Sequence, residues 1–201
     1  MWTAPRSAVP LPPPGVVPLT LFGRVVVVSA FVDYTPPGLL SYHELMAAVV
    51  VRRGLRPGLT ITDIWVDDET SQRGARAMWG IPKQLADFTL TAAPPLTAAP
   101  PLTATATPLT AAPPITADAH GIAGAQERPL KAPRLPAWIS TSVWQIHGDT
   151  AHRTKLRTTA RVRPTRLRWR IAPDSALGWL ANARPRLHLA VTNLRMRFGE
   201  S

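Results

Sequence analysis

"LFGRVVVVSAFVDY", residues 21–34, is a run of β-branched and aromatic residues whose one glycine stands near its start. Branching at Cβ stiffens a side chain in a helix and suits it to a pleated surface. The run is continuous rather than alternating, so it is expected to be a strand buried on both faces. Working outward, "TPPGLL" (35–40) carries turn chemistry, and "SYHELMAAVVVRRG" (41–54) ends in a second β-branched run closed by "RPG". "TITDIWVDD" (60–68) reads as a third strand. "ETSQRGARAMWG" (69–80) reads as a loop with a helical turn in it, and "KQLADF" (83–88) as the start of a short helix or strand.

Downstream, "AWISTSVWQI" (137–146) and "AHRTKLRTTARV" (151–162) flank "HGDT" as a hairpin, and "TRLRWRI" (165–171) is another strand. "APDSALGWLANA" (172–183) is the best short helix: Asp174 or Ser175 caps it, and Ala176, Leu177, Trp179 and Leu180 form its apolar side. In "RLHLAVTNLRMRFG", Leu187, Leu189 and Val191 share one parity and Leu194, Met196 and Phe198 the other. That switch predicts a β-bulge near Thr192–Asn193. Trp65, Trp79, Trp138, Trp144, Trp169 and Trp179 are expected in the core. The sum is a mainly β, α+β protein, largely antiparallel, with one or two short helices.

Residues 91–117 interrupt this pattern. TAAPPL, TAAPPL, TATATPL, TAAPPI and TA follow one another with no charge and seven prolines. Proline donates no backbone hydrogen bond, and side chains this small return little on burial, so a disordered low-complexity insertion is expected. The domain plan is therefore a Pro-rich, extended stretch at 1–20 with a truncated first strand, then one β-rich domain formed by 21–90 and 118–199.

The chain has 201 residues, 45% of them hydrophobic, with 23 prolines and no cysteine. Disulfides and thiolate metal sites are thereby excluded. The longest apolar stretch, "VVVVSAFV" (25–32), is too short to span a bilayer, so no membrane partner is expected and a cytoplasmic protein is the default. His43, His120, His147, His152 and His188 show no metal-ligand spacing, and no metal is expected. A net charge of +11 raises a polyanion partner. The arginines, however, alternate with apolar residues: Arg157 and Arg161 with Leu156, Ala160 and Val162, and Arg166, Arg168 and Arg170 with Leu167, Trp169 and Ile171. This is the period of a half-buried strand with a basic wet face, and no nucleic-acid motif accompanies it. A nucleic-acid partner is not expected.

Of the 23 basic residues only Lys83, Lys131 and Lys155 are lysines. Arginine serves an ion pair at least as well, but it cannot lose its proton and attack a carbonyl. Lys83 follows a proline within "AMWGIPKQLADF". Trp79, Ile81, Pro82 and Leu85 are expected to form a dry wall for its amine, and burial disfavours the charged form.

"YHEL" (42–45), "VDDETSQRGARAMWGIPKQLADF" (66–88) and "PTRLRWRIAP" (164–173) together resemble the acetoacetate decarboxylase-like superfamily, in its bacterial branch with a WGIPK signature. The resemblance implies a mainly β fold built around a closed, cone-like antiparallel barrel, and homo-oligomeric assembly. It also implies a Schiff-base lysine, here Lys83, with Glu44 as the active-site glutamate that handles substrate or protons. Arg76, Tyr42 and Trp79 become the candidate substrate-binding residues, a small β-keto or α-keto acid the substrate, and no metal or organic cofactor is required.

The sequence departs from the family at several places. Gln84 stands where a second lysine follows the first, and Val27 lies where a second glutamate is expected. The Gly74–Ala77 stretch lacks the family's acid. Arg6 and Arg24 are the arginines near the place of the one that contacts the substrate carboxylate. Three functions follow: a Schiff-base lyase, a catalytically degenerate barrel that binds a small carboxylate, and a basic polyanion-binding module.

Overall fold

The computed structural model describes residues 1–92, 102–108 and 121–199. Among the described residues thirteen strands occur in chain order: β1 (Trp2–Ala4), β2 (Val17–Pro18), β3 (Thr20–Leu21), β4 (Arg24–Tyr34), β5 (Tyr42–Arg53), β6 (Arg56–Val66), β7 (Lys83–Ala92), β8 (Leu102–Pro108), β9 (Ala123–Pro129), β10 (Leu135–His147), β11 (Thr150–Ile171), β12 (Arg184–Pro185) and β13 (Leu189–Phe198). Among the described residues there is one α-helix, α1 (Glu69–Trp79), between β6 and β7. The spatial order is β10-β11-β9-β8-β7-β6-β5-β4-β1-β12, with β13 on β11, β2 on β5 and β3 on β4.

Most ladders are antiparallel, but β6 and β7 run parallel, with Ile64 opposite Lys83 and Val66 opposite Leu85. A parallel pair needs a crossover connection, and α1 supplies it. The sheet is therefore mixed, and it is not the closed barrel that the resemblance implies. Where the curled sheet returns on itself, β10 meets β6 through the single parallel pair Val143–Leu59. Gly58 makes that approach possible, since a Cβ there would lie 2.5 Å from the Ser142 carbonyl oxygen and 2.9 Å from Trp144 Nε1.

Two apolar clusters fill the fold. The larger gathers Trp2, Val25, Val27, Leu45, Val49, Trp65, Leu177 and Leu180; the smaller gathers Ala48, Ile61, Ile64, Ala75, Ile81 and Val143, with Trp79 and Phe198 against it. Strand β5 serves both, because Leu45, Ala47, Val49 and Val51 face the first while Met46 and Ala48 face the second. Burial on both faces thus belongs to β5 more than to β4, whose fully buried residues are Val25 and Val27. Packing two faces of one strand calls for the near-continuous apolar run seen from Leu45 to Val51.

Several expectations need correction. The best-looking helix, 172–183, contributes only a 3-10 turn at Gly178–Leu180, because Gly178 sits so close to the Pro173 carbonyl that no side chain fits. The stretch read as a loop is α1 itself. Asp68 caps it by accepting from the Ser71 backbone N–H at 2.6 Å, and Gly80 ends it in the left-handed region at φ 62°. The Pro-rich start is not merely extended, since β1 lies in the core with Trp2, Thr3 and Ala4 buried. Within the Thr-Ala-Pro repeat, residues 102–108 are strand, paired to β7 and β9. Thr and Ala alternate there with no proline before 108, which leaves the ladder donors in place. Residues 93–101 and 109–117 of the expected insertion lie outside the described residues. Trp138 is 69% exposed rather than core. The two strands read at 151–162 and 165–171 are one, β11. The bulge is present: Thr159 faces Arg195 and Arg161 faces Thr192, with Asn193 at φ 53°.

Candidate active site

Glu44 lies in β5, on the face shared with Met46 and Ala48, beneath α1. Lys83 opens β7, placed there by Gly80, Ile81 and Pro82 at the end of the crossover. Both side chains are buried, Glu44 5% and Lys83 6% exposed. Lys83 Nζ stands 3.0 Å from Glu44 Oε2. The amine also donates to Ser71 Oγ at 2.8 Å and to the Tyr42 hydroxyl at 3.3 Å, and it lies 4.8 Å from the Tyr42 ring centroid. Three acceptors therefore surround a three-donor group.

The carboxylate has a second partner. The Tyr34 hydroxyl donates to Glu44 Oε1 at 3.3 Å, and the Tyr34 ring stacks on Tyr42 with centroids 4.5 Å apart. Tyr34 and Tyr42 are cross-strand neighbours at the end of the β4–β5 hairpin. Burial first, then the Glu44 carboxylate and Tyr42, push the Tyr34 phenol well above its ordinary value. Tyr34 therefore keeps its proton and acts as a donor to Glu44 throughout the physiological range.

Beside the tyrosines opens a pocket of about 270 Å³, lined by Asp33, Tyr34, Tyr42, His43 and Asp67 among others. Lys83 and Glu44 are not in its wall, so the tyrosine pair stands between this space and the amine. The acids here are engaged: Asp67 accepts from the His43 backbone N–H at 2.7 Å and lies 2.6 Å from His43 Nδ1, and Asp68 caps α1. Glu69 pairs with Arg73 at 3.2 Å.

The structure thus brings Tyr42, Glu44 and Lys83 together and places the other two candidates elsewhere. Arg76 is an exposed residue of α1 whose Nε donates to the Lys83 carbonyl oxygen at 2.6 Å, so it braces the backbone that carries the amine. Trp79 packs on the Phe198 ring at 5.2 Å in the smaller cluster. Gln84 is exposed and Val27 is fully buried. Arg24 donates to the Thr3 carbonyl at 3.2 Å, and Arg6 lies in the exposed part of a 3-10 turn. Ser71 and Tyr34 are the residues sequence reasoning missed. Their only signal was indirect: Ser71 sits three residues after a capping aspartate, and Tyr34 sits opposite Tyr42 across a hairpin.

A second buried ion pair lies away from this site. Arg163 Nη2 is 2.8 Å from Glu127 Oε1, which also accepts from Thr165 Oγ1 at 2.7 Å. The remaining basic face of β11, with Arg157, Arg161, Arg166, Arg168 and Arg170, is exposed.

The fold is of the mainly β, α+β class, a large mixed sheet with a helical crossover. The chain belongs to the acetoacetate decarboxylase family, whose model matches residues 6–110. Its fold is similar to that of acetoacetate decarboxylase from Legionella pneumophila, with a TM-score of 0.58 at 18% identity over 94% of this chain and 76% of that one. It is similar also to the enduracididine biosynthesis enzyme MppR, solved in complex with pyruvate, with a TM-score of 0.54 at 12% identity over 98% of this chain and 80% of that one. No curated protein sequence matches the chain. Among the described residues no helix is long and apolar enough to cross a membrane.

Proposed function

We propose that the protein is a Schiff-base-forming lyase acting on a small β-keto or α-keto acid through Lys83. The observation that carries this reading is the Lys83 amine held 3.0 Å from Glu44 with both side chains less than a tenth exposed. Glu44 takes a proton from Lys83, and the neutral amine attacks the keto carbon. Loss of water gives a protonated imine. With a β-keto acid, that imine draws the electron pair of the adjacent C–C bond, so carbon dioxide leaves and an enamine remains. Protonation of the enamine carbon and hydrolysis release the ketone and return the amine. None of these steps asks for a metal or an organic cofactor. Tyr42 is the candidate substrate contact beside the amine, and Arg76 supports the site by fixing the Lys83 backbone.

The test is reductive trapping. The protein is incubated with acetoacetate or with pyruvate in the presence of borohydride, and its peptides are weighed. The reading expects the reduced-imine mass on the peptide that carries Lys83. A folded protein that gains no such mass overturns it.

A second reading has its own observation. All three hydrogens of the amine are engaged by Ser71, Tyr42 and Glu44, which suits a structural ion pair in a domain that binds a small carboxylate without reacting. Under that reading a keto acid raises the melting temperature and leaves no covalent mass.

A further inference from the structure

Ser71 is 8% exposed and its Oγ is 2.8 Å from Lys83 Nζ, shorter than the Glu44 contact. Its place is fixed twice over: the Asp68 carboxylate holds its backbone N–H at 2.6 Å, and α1 is anchored at the far end by Gly80 and by the Arg76 link to the Lys83 carbonyl. The hydroxyl accepts from the amine, while its own hydrogen meets no acceptor among the described residues. A buried O–H without an acceptor is costly unless something arrives to take it.

The geometry points to Ser71 as a catalytic residue of imine formation, one that passes a proton from the attacking amine to the substrate's carbonyl oxygen. This inference rests on the reading above. When the Lys83 nitrogen bonds to the keto carbon, the former carbonyl oxygen is one bond further on and falls within reach of a hydroxyl already in contact with that nitrogen. Ser71 Oγ accepts the N–H proton as it gives its own to the oxygen. The product is a neutral carbinolamine, and Ser71 is again a hydroxyl. Glu44, protonated by the original ammonium, then protonates the departing hydroxyl. Water leaves, the imine keeps its N–H and positive charge, and Glu44 is a carboxylate once more. Protons and charges balance with no outside acid.

The experiment compares the full chain with Ser71→Ala and Ser71→Thr. Two reactions at Lys83 are followed by peptide mass: borohydride trapping with pyruvate, and arylation by trinitrobenzenesulfonate, which needs a free amine but has no carbonyl oxygen to protonate. Thermal melting establishes that each variant is folded. Ser71→Ala is expected to slow trapping on the order of a hundredfold, the scale of general acid–base help, while arylation stays within a few-fold of the parent. Ser71→Thr, which keeps the hydroxyl, is expected to restore most of the trapping rate. Trapping by Ser71→Ala at the parent rate overturns the inference and leaves the Schiff-base reading standing. Equal loss of trapping and arylation in Ser71→Ala also overturns it, because Ser71 then only positions the amine. A folded parent protein that is not trapped overturns the Schiff-base reading itself, and this inference with it.

Discussion

Lys83 Nζ and Glu44 Oε2 lie 3.0 Å apart with both side chains less than a tenth exposed, joined from a strand and a crossover that are remote in sequence. Removing two charges from water is expensive, and their attraction offsets that cost only while both are present. Replacing one partner alone strands the other.

Lys83→Met is therefore expected to destabilise the fold by about 3–5 kcal/mol, because it leaves a buried carboxylate without its cation. Adding Glu44→Leu to it is expected to recover most of that loss, since an apolar pair of similar volume costs little in place of a buried ion pair. Urea unfolding of the two single variants and the double one measures this. Additive losses would show that the two groups are not coupled.

Arg76→Ala is expected to lower the rate of keto-acid trapping while leaving the concentration dependence for pyruvate unchanged. Its guanidinium reaches the Lys83 carbonyl oxygen and not the amine, so it sets the aim of the backbone. A large rise in the half-saturating pyruvate concentration would instead restore Arg76 as a carboxylate contact.

Gly80→Ala is expected to cost on the order of 1–3 kcal/mol. Its φ of 62° is strained for any side chain, and a new Cβ would press on the Ile146 carbonyl oxygen. The consequence reaches function as well, because Gly80 is the joint between α1, which carries Ser71, and β7, which opens with Lys83. Thermal melting and trapping are expected to fall together.

Asp63 gives a pH prediction. Burial raises its carboxyl above the ordinary 3.8, with Thr62 and Trp179 opposing as hydrogen-bond partners. The folded state then holds more protons than the unfolded state as pH rises past 3.8, so this group's contribution to stability falls through that window and stays low above the raised folded value. Asp63→Asn keeps an acceptor for the Trp179 indole, 3.2 Å away in the parent, and removes the titration. The stability of the variant relative to the parent is expected to increase between about pH 4 and neutrality. Unfolding curves at several pH values check the direction.

The strands were legible where packing writes a local pattern. The β-branched runs of β4 and β5, the hairpin around Gly148, and the parity switch at Asn193 all announce themselves within a few residues. Helix α1 did not, because it is a cover rather than a core element: only Ser71 and Ala75 are buried along it, and polar residues dominate its composition. Its signals were the caps, Asp68 and Gly80, and these outrank composition in a helix so polar. At 172–183 the apolar residues were present but Gly178 broke the pattern. Family likeness pointed to Lys83, Glu44 and Tyr42 as candidates, and the fold brings those three side chains into contact. It could not place Ser71 or Tyr34, whose contacts exist only after a crossover and a hairpin have closed. Arg76 and Trp79, candidates by the same likeness, are near Lys83 in sequence, and in space their side chains meet the Lys83 carbonyl oxygen and the Phe198 ring.

Strand β1 lies between β4 and β12, with Trp2 facing Val27 on one side and Pro185 on the other. As the chain leaves the ribosome, β4 can zip to one edge of β1 early, with β5 and β6 adding beyond it, but the other edge of β1 stays bare until Arg184 and Pro185 emerge. A bare edge invites pairing with a neighbouring nascent chain. Yield of intact protein should therefore depend more on the arrival of Arg184 and Pro185 than their exposed side chains suggest.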